Sequence, residues 1–131
     1  MSNENEPVMY LVFRGDLKLT KGKVAAQAGH AVQLILTKLG NEIGFTSDEG
    51  AKWSKWYMEW QGASYAKVAV KVDSWTAFTD LCANLYLDEV PYAVVTDEGR
   101  TNVPPNTITC LAIAPMPRSE AAKYVGNLKL Y

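Results

Sequence analysis

Residues 8–40 read VMYLVFRGDLKLTKGKVAAQAGHAVQLILTKLG, and the changes of pattern inside this stretch set the fold. Residues 8–14 form a near-continuous apolar run, as expected of a central strand covered on both faces. Residues 15–22 (GDLKLTKG) are polar and bounded by glycines, hence a loop. From about Gly22 to Leu39 the period becomes helical. Val24, Ala28, Ala31, Ile35 and Leu39 fall on one stripe, and Gly40 is placed to stop the helix. A buried strand feeding a long helix through a short polar loop is the opening of a layered α/β domain.

The rest of the chain continues the alternation. Asp48 can cap a second helix that carries Trp53, Trp56, Tyr57 and Trp60 at helical spacing and ends near Gly62. Residues 65–72 alternate as a strand, and Asp73 or Ser74 can cap a third helix through about Tyr86. Residues 91–96 and 108–114 read as strands joined by a Gly-, Pro- and Asn-rich loop without a helix, which favours an antiparallel pair. A short helix is expected around residues 118–125. Helical crossovers imply parallel pairing among the earlier strands. The expected fold is α/β: a three-layer α/β/α domain with a four-stranded mixed β-sheet. Residues 1–7 read as a flexible N-terminal tail and residues 8–131 as a single domain.

Composition narrows the function. With 131 residues, 48% hydrophobic and 21% charged, the chain is neither disordered nor polybasic, and its formal net charge is −1. The charge is uneven. Residues 14–23 carry Arg14, Lys18, Lys21 and Lys23 against Asp16 alone. Residues 73–99 carry six carboxylates and no Lys or Arg. A small basic patch on an acidic body results. Cys82 and Cys110 lie in apolar stretches and read as buried, reduced thiols. With two cysteines and one histidine, no spacing suggests a metal site, and no cofactor is expected. No apolar run is long enough for a membrane span, and the polar, acidic start MSNENEP is unlike a leader, so the expectation is a cytoplasmic protein without membrane partners.

Ligands of such sheets bind at loops after the carboxyl ends of strands. Two loops stand out. The first, residues 14–23, leads Gly22 and Lys23 into a helix N-terminus, where backbone N–H groups and the helix dipole attract phosphate. Lys23, Gln27 and His30 then project from one side of that helix among small neighbours. The second loop begins Asp97-Glu98-Gly99-Arg100-Thr101, placing an acid, a guanidinium and a hydroxyl together. If the first and third strands run parallel, both loops share one sheet edge. The plain alternatives are a solvated lysine loop, a hydrogen-bonded structural histidine and a simple turn. The tryptophan stripe reads as core in preference to a base-stacking platform. No nucleophile elbow or Walker loop is present, so serine-nucleophile and P-loop chemistry are disfavoured.

At these loops the sequence resembles the second, archaeal and eukaryotic type of peptidyl-tRNA hydrolase. The matching stretches are LVFRGDLKLTKGKVAAQAGHA (residues 11–31), KVAVKVDS (67–74), DEGRTNVPPNT (97–107), TCLAIAPMP (109–117) and VGNLKLY (125–131). The resemblance implies cleavage of the ester between a peptide and the terminal ribose of tRNA, with peptidyl-tRNA as partner, no metal, and an assembly that is often a homodimer. Carried onto this chain, it makes Lys23, Gln27, His30, Asp97 and Thr101 the candidate catalytic residues, and Arg14, Lys18, Lys21 and Arg100 the candidate RNA-binding residues. Asp97 or His30 would orient or deprotonate water, Lys23 with Gln27 would meet the oxyanion or the leaving oxygen, and Thr101 would position water or substrate. Arg100 could instead pair with Asp97 or Glu98 and only order the loop. Glu98 replaces the family's usual Ala, Ala28-Gly29 replace a frequent Cys-Ser, and residues 41–62 match least. These departures admit an alternative, a catalytically divergent RNA- or protein-binding module of the same fold.

Overall fold

A strand without a polar face needs cover on both sides, and β1 (Pro7–Arg14) has it: only Tyr10 and Arg14 escape full burial. The computed structural model describes residues 3–41, 48–98, 104 and 106–131. After β1 come α1 (Lys21–Asn41), α2 (Asp48–Gly62), β2 (Lys67–Val72), α3 (Trp75–Leu87), β3 (Tyr92–Asp97), β4 (Thr107–Ile113), β5 (Met116–Pro117), α4 (Arg118–Val125) and β6 (Lys129–Leu130), the expected order with β5 and β6 added.

The sheet order is β3-β4-β1-β2-β6, with β5 pairing to β1 off this path. β1 and β2 are parallel, as their helical crossover requires. β4 is antiparallel to both β1 and β3. β1 and β3 therefore run the same way, and their carboxyl ends share one sheet edge. The sheet is mixed as expected but has six strands in place of four. The additional two, β5 and β6, are two residues each, too short for any periodicity to reveal. Helices pack on the sheet throughout: α1 against β3 and β4, α2 against β1 and β5, α3 against β2, and α4 against β1 and β5.

Local chemistry fixes the boundaries. The Ser74 hydroxyl accepts the Ala77 N–H, so Ser74 is the cap of α3. α1 runs through Gly40 to Asn41, one residue past the expected stop. Trp53 and Trp60 of α2 are buried, and Trp56 and Tyr57 pack against the same core, so the aromatic stripe is core. Residues 3–6 are tied to the start of α4, with Arg118 N–H donating to the Glu6 carbonyl and Ser119 N–H to that of Glu4. Cys110 is buried and Cys82 half-buried, and both are free thiols. Desolvation pushes the Cys110 thiol up to about 12, leaving it protonated and inert at neutral pH.

Gly15 marks where β1 leaves the sheet. Its N–H donates to the Val72 carbonyl at 2.7 Å, and a Cβ there would stand 2.9 Å from that oxygen. Gly29, within α1, faces open space. Gly15→Ala is therefore expected to lower unfolding free energy by about 1–3 kcal/mol through forced backbone displacement. Gly29→Ala should raise it by about 0.5–1 kcal/mol through helix propensity. Urea denaturation of the two variants checks both signs.

Candidate active site

The first loop is built to aim Lys23. The Thr20 hydroxyl accepts the Lys23 N–H at 3.3 Å and its carbonyl accepts that of Val24 at 2.9 Å, capping α1. This starts the helix at Lys21 and places Lys23 in its first turn. Arg14 anchors the other end of the loop. Its guanidinium donates to both Asp16 carboxylate oxygens, at 2.7 and 3.3 Å, and to the Ile108 carbonyl at 3.2 Å. It also lies 4.8 Å from the centroid of the Trp75 ring. The hydrogen bond from Arg14 holds the Asp16 carboxyl below its ordinary value. That pairing thus contributes in full above pH 3.8 and is lost as pH falls through the lower folded value.

The second loop begins at the end of β3, and Asp97 is its first acid. Asn106 closes the far side: it adopts φ of 64°, a conformation Asn tolerates, and donates its N–H to the Asp97 carbonyl at 2.7 Å. The Lys23 Nζ meets Asp97 Oδ1 at 2.6 Å, across 74 positions of sequence. Both side chains are nearly dry, 8% and 6% exposed. A buried ion pair carries a desolvation cost that only close geometry offsets, so its presence between two loops at one sheet edge marks a built site.

Gln27 lies one turn further along α1 and is buried. Its Nε2 donates to the Thr109 hydroxyl at 2.8 Å, Thr109 Oγ1 stands 3.8 Å from Cys110 Sγ, and that thiol reaches the Gln27 carbonyl at 3.7 Å. The ring of contacts depends on an irregularity in the sheet. Val95 opposes Cys110 while Thr96 opposes Ile108, so the pairing skips Thr109. Such a bulge re-aims side chains, and here Thr109 and Cys110 both reach Gln27. His30, the next residue on the polar stripe, is exposed. Lys23, Gln27, His30, Asp97 and Glu98 all line one cleft of about 610 Å³.

Of the candidate catalytic residues, the structure brings Lys23, Gln27, His30 and Asp97 together, and Thr101 lies outside the described residues. Of the RNA-binding candidates, Lys18 and Lys21 are exposed, Arg14 is held as above, and Arg100 lies outside the described residues. Thr109 was not among the sequence candidates. The available signal was a hydroxyl residue inside the apolar run ITCLAIA, which needs a polar partner once buried.

Fold and cleft together define a three-layer α/β protein with a buried ion pair in a cleft at the carboxyl edge of its sheet. A family model described as Peptidyl-tRNA hydrolase PTH2 matches residues 7–131. A protein of Saccharolobus solfataricus named peptidyl-tRNA hydrolase is 33% identical over 122 residues, covering 93% of this chain and 97% of that one. One of Pyrobaculum aerophilum with the same name is 37% identical over 124 residues, covering 94% and 96%. The chain belongs to the PTH2 family of peptidyl-tRNA hydrolases.

Removing either member takes away the close charge contact that the other makes in the cleft. Lys23→Met and Asp97→Asn are each expected to cost about 3 kcal/mol of stability. The double variant Lys23→Met/Asp97→Asn should lose far less than the sum, because the second substitution removes a contact the first has already broken. Chemical denaturation of the three variants tests this, and additive losses would contradict the pairing.

Proposed function

We propose that this chain hydrolyses the ester between a peptide, or an N-blocked aminoacyl group, and the 3′-terminal ribose of tRNA, releasing tRNA for reuse. The observation that carries the reading is the Lys23–Asp97 contact, which joins the two family motifs inside one cleft. Family membership and the names of the relatives support the same reaction class. We read residues 8–131 as one functional domain, supported by a single continuous core. Peptidyl-tRNA is made in the cytoplasm, and we place the protein's work there. No described helix is long and apolar enough to cross a membrane.

In this reading a water attacks the ester carbonyl carbon. We assign His30 to take the water's proton, because it stands exposed on the cleft wall while Asp97 already carries Lys23. Asp97 orients the water and fixes the ammonium. Negative charge develops on the carbonyl oxygen, and Lys23 is the cation at hand to meet it, with Gln27 holding its neighbourhood rigid. Collapse breaks the bond from carbonyl carbon to ribose oxygen, and that oxygen leaves with the proton that His30 took from the water, which returns the imidazole to its neutral form. Thr101 is assigned to position water or substrate on the strength of the family motif. Lys18 and Lys21, with Arg100, hold phosphates of the acceptor strand, and Arg14 orders their loop.

Purified protein should release tRNA from N-acetyl-aminoacyl-tRNA. Lys23→Ala, His30→Ala and Asp97→Ala should each lower the rate by roughly a hundredfold or more. Full activity in both Lys23→Ala and Asp97→Ala would overturn the site. tRNA binding without turnover by the wild type would favour the binding-module alternative. Tight binding should weaken steeply with salt, and Lys18→Ala and Lys21→Ala should each reduce the slope of log K against log salt by roughly one unit or slightly less.

A further inference from the structure

The cleft does not end at the catalytic cluster. It continues along α1 into a second hollow of about 380 Å³, sharing Leu34, and then a third of about 490 Å³, sharing Lys38 and Tyr92 with the second. One wall is the outer face of α1 and the other is β3. The groove runs the length of β3, from Asp97 beside Lys23 to Tyr92 beside Lys38. Its apolar side chains are unusually open: Leu34 is 44% exposed midway, and Tyr86 and Leu87 are 72% and 75% exposed at the far end.

β3 is the edge of the sheet. The Pro91 carbonyl accepts the Ala114 N–H and the Asp97 carbonyl accepts the Asn106 N–H, so positions 91 and 97 face the β4 side. By the antiparallel alternation, Tyr92, Val94 and Thr96 present their N–H and C=O groups away from β4. The Lys38 ammonium bonds the Tyr92 carbonyl at 2.9 Å from the helix side, consistent with that direction. Among the described residues no strand pairs with this edge, and such an edge is a template for one more strand.

We propose that the peptide half of the substrate lies in this groove as an added strand on β3. The proposal rests on the hydrolase reading of the same site, and it adds where the peptide goes. The scissile carbonyl belongs to the peptide's last residue and must sit at Lys23 and Asp97. The chain before it then extends toward Tyr92, running in the same direction as β3, so the added strand is parallel. Five steps of strand span about 17 Å, room for roughly five residues. RNA leaves by another way. Lys21 begins α1 and Lys18 lies in the loop before it, whereas the groove runs toward the other end of the helix at Lys38, 17 residues or about 25 Å along the helix from Lys21. An enzyme that must accept many peptide sequences gains from reading the backbone, which every peptide shares, while the open apolar positions accept varied side chains.

The test uses the full chain and two substrates on the same tRNA. One carries a single N-acetylated residue, and the other an N-acetylated five-residue peptide ending in that residue. Wild type should show a KM roughly tenfold lower for the longer substrate, the effect of one or two net backbone hydrogen bonds. Val94→Pro removes an N–H that faces away from β4, a position where an edge strand tolerates proline. Thr37→Trp fills the second hollow from an exposed helical position and serves if the proline variant folds poorly. Both variants should erase the length advantage while leaving the short substrate's kcat/KM unchanged. Equal KM for both lengths in wild type, or a length advantage surviving both variants, would overturn the proposal. So would a groove occupied by a second copy, seen as a dimer by light scattering that both variants dissociate with no length dependence in any form. Failure of wild type to cleave either substrate would instead overturn the hydrolase reading, and the groove proposal with it.

Discussion

Two loops far apart in sequence are held together by one dry contact, Lys23 to Asp97 at 2.6 Å. In water such a pair contributes little, but out of water each charge depends on the other. The surrounding structure makes the contact unavoidable. Parallel β1 and β3 deliver both loops to one sheet edge, Thr20 caps α1 one turn from Lys23, and Asn106 fixes the carbonyl of Asp97. In the proposed reaction this contact keeps an ammonium and a carboxylate oriented without solvent to reorganise.

Much of this was legible from residues alone. The apolar run of residues 8–14 and the stripe from Val24 to Leu39 determine β1 and α1, because their partners can only be other apolar surfaces. The two-residue strands β5 and β6 were not legible, because they are set by tertiary pairing and flanked by prolines or the chain's last residues. Nor was the role of Thr109. That role depends on a skipped residue in the β3–β4 register, and register irregularities leave no periodic trace in sequence. The polar stripe of Lys23, Gln27 and His30 was readable as a face, but its division into buried Gln27 and exposed His30 needed the packing of α1 on β4.

The departures from the family pattern acquire a physical setting here. Gly29 faces open space, so its lack of a side chain answers no steric demand in the described structure. Glu98 is exposed and lines the cleft that also holds the ion pair. The tryptophans of α2, in the region that resembles the family least, fill the core and lie outside the residues lining the cleft. Departures from the family pattern in that helix therefore fall on the core and away from the Lys23–Asp97 pair.

The most direct measurement is a double-mutant cycle on kcat/KM for N-acetyl-aminoacyl-tRNA, using Lys23→Met, Asp97→Asn and their combination. If the two residues act as one unit, the double variant loses no more than the worse single variant, giving a coupling energy well above about 1 kcal/mol. Losses that multiply across the two substitutions would show that the residues work independently, and the joined-loop account would be wrong.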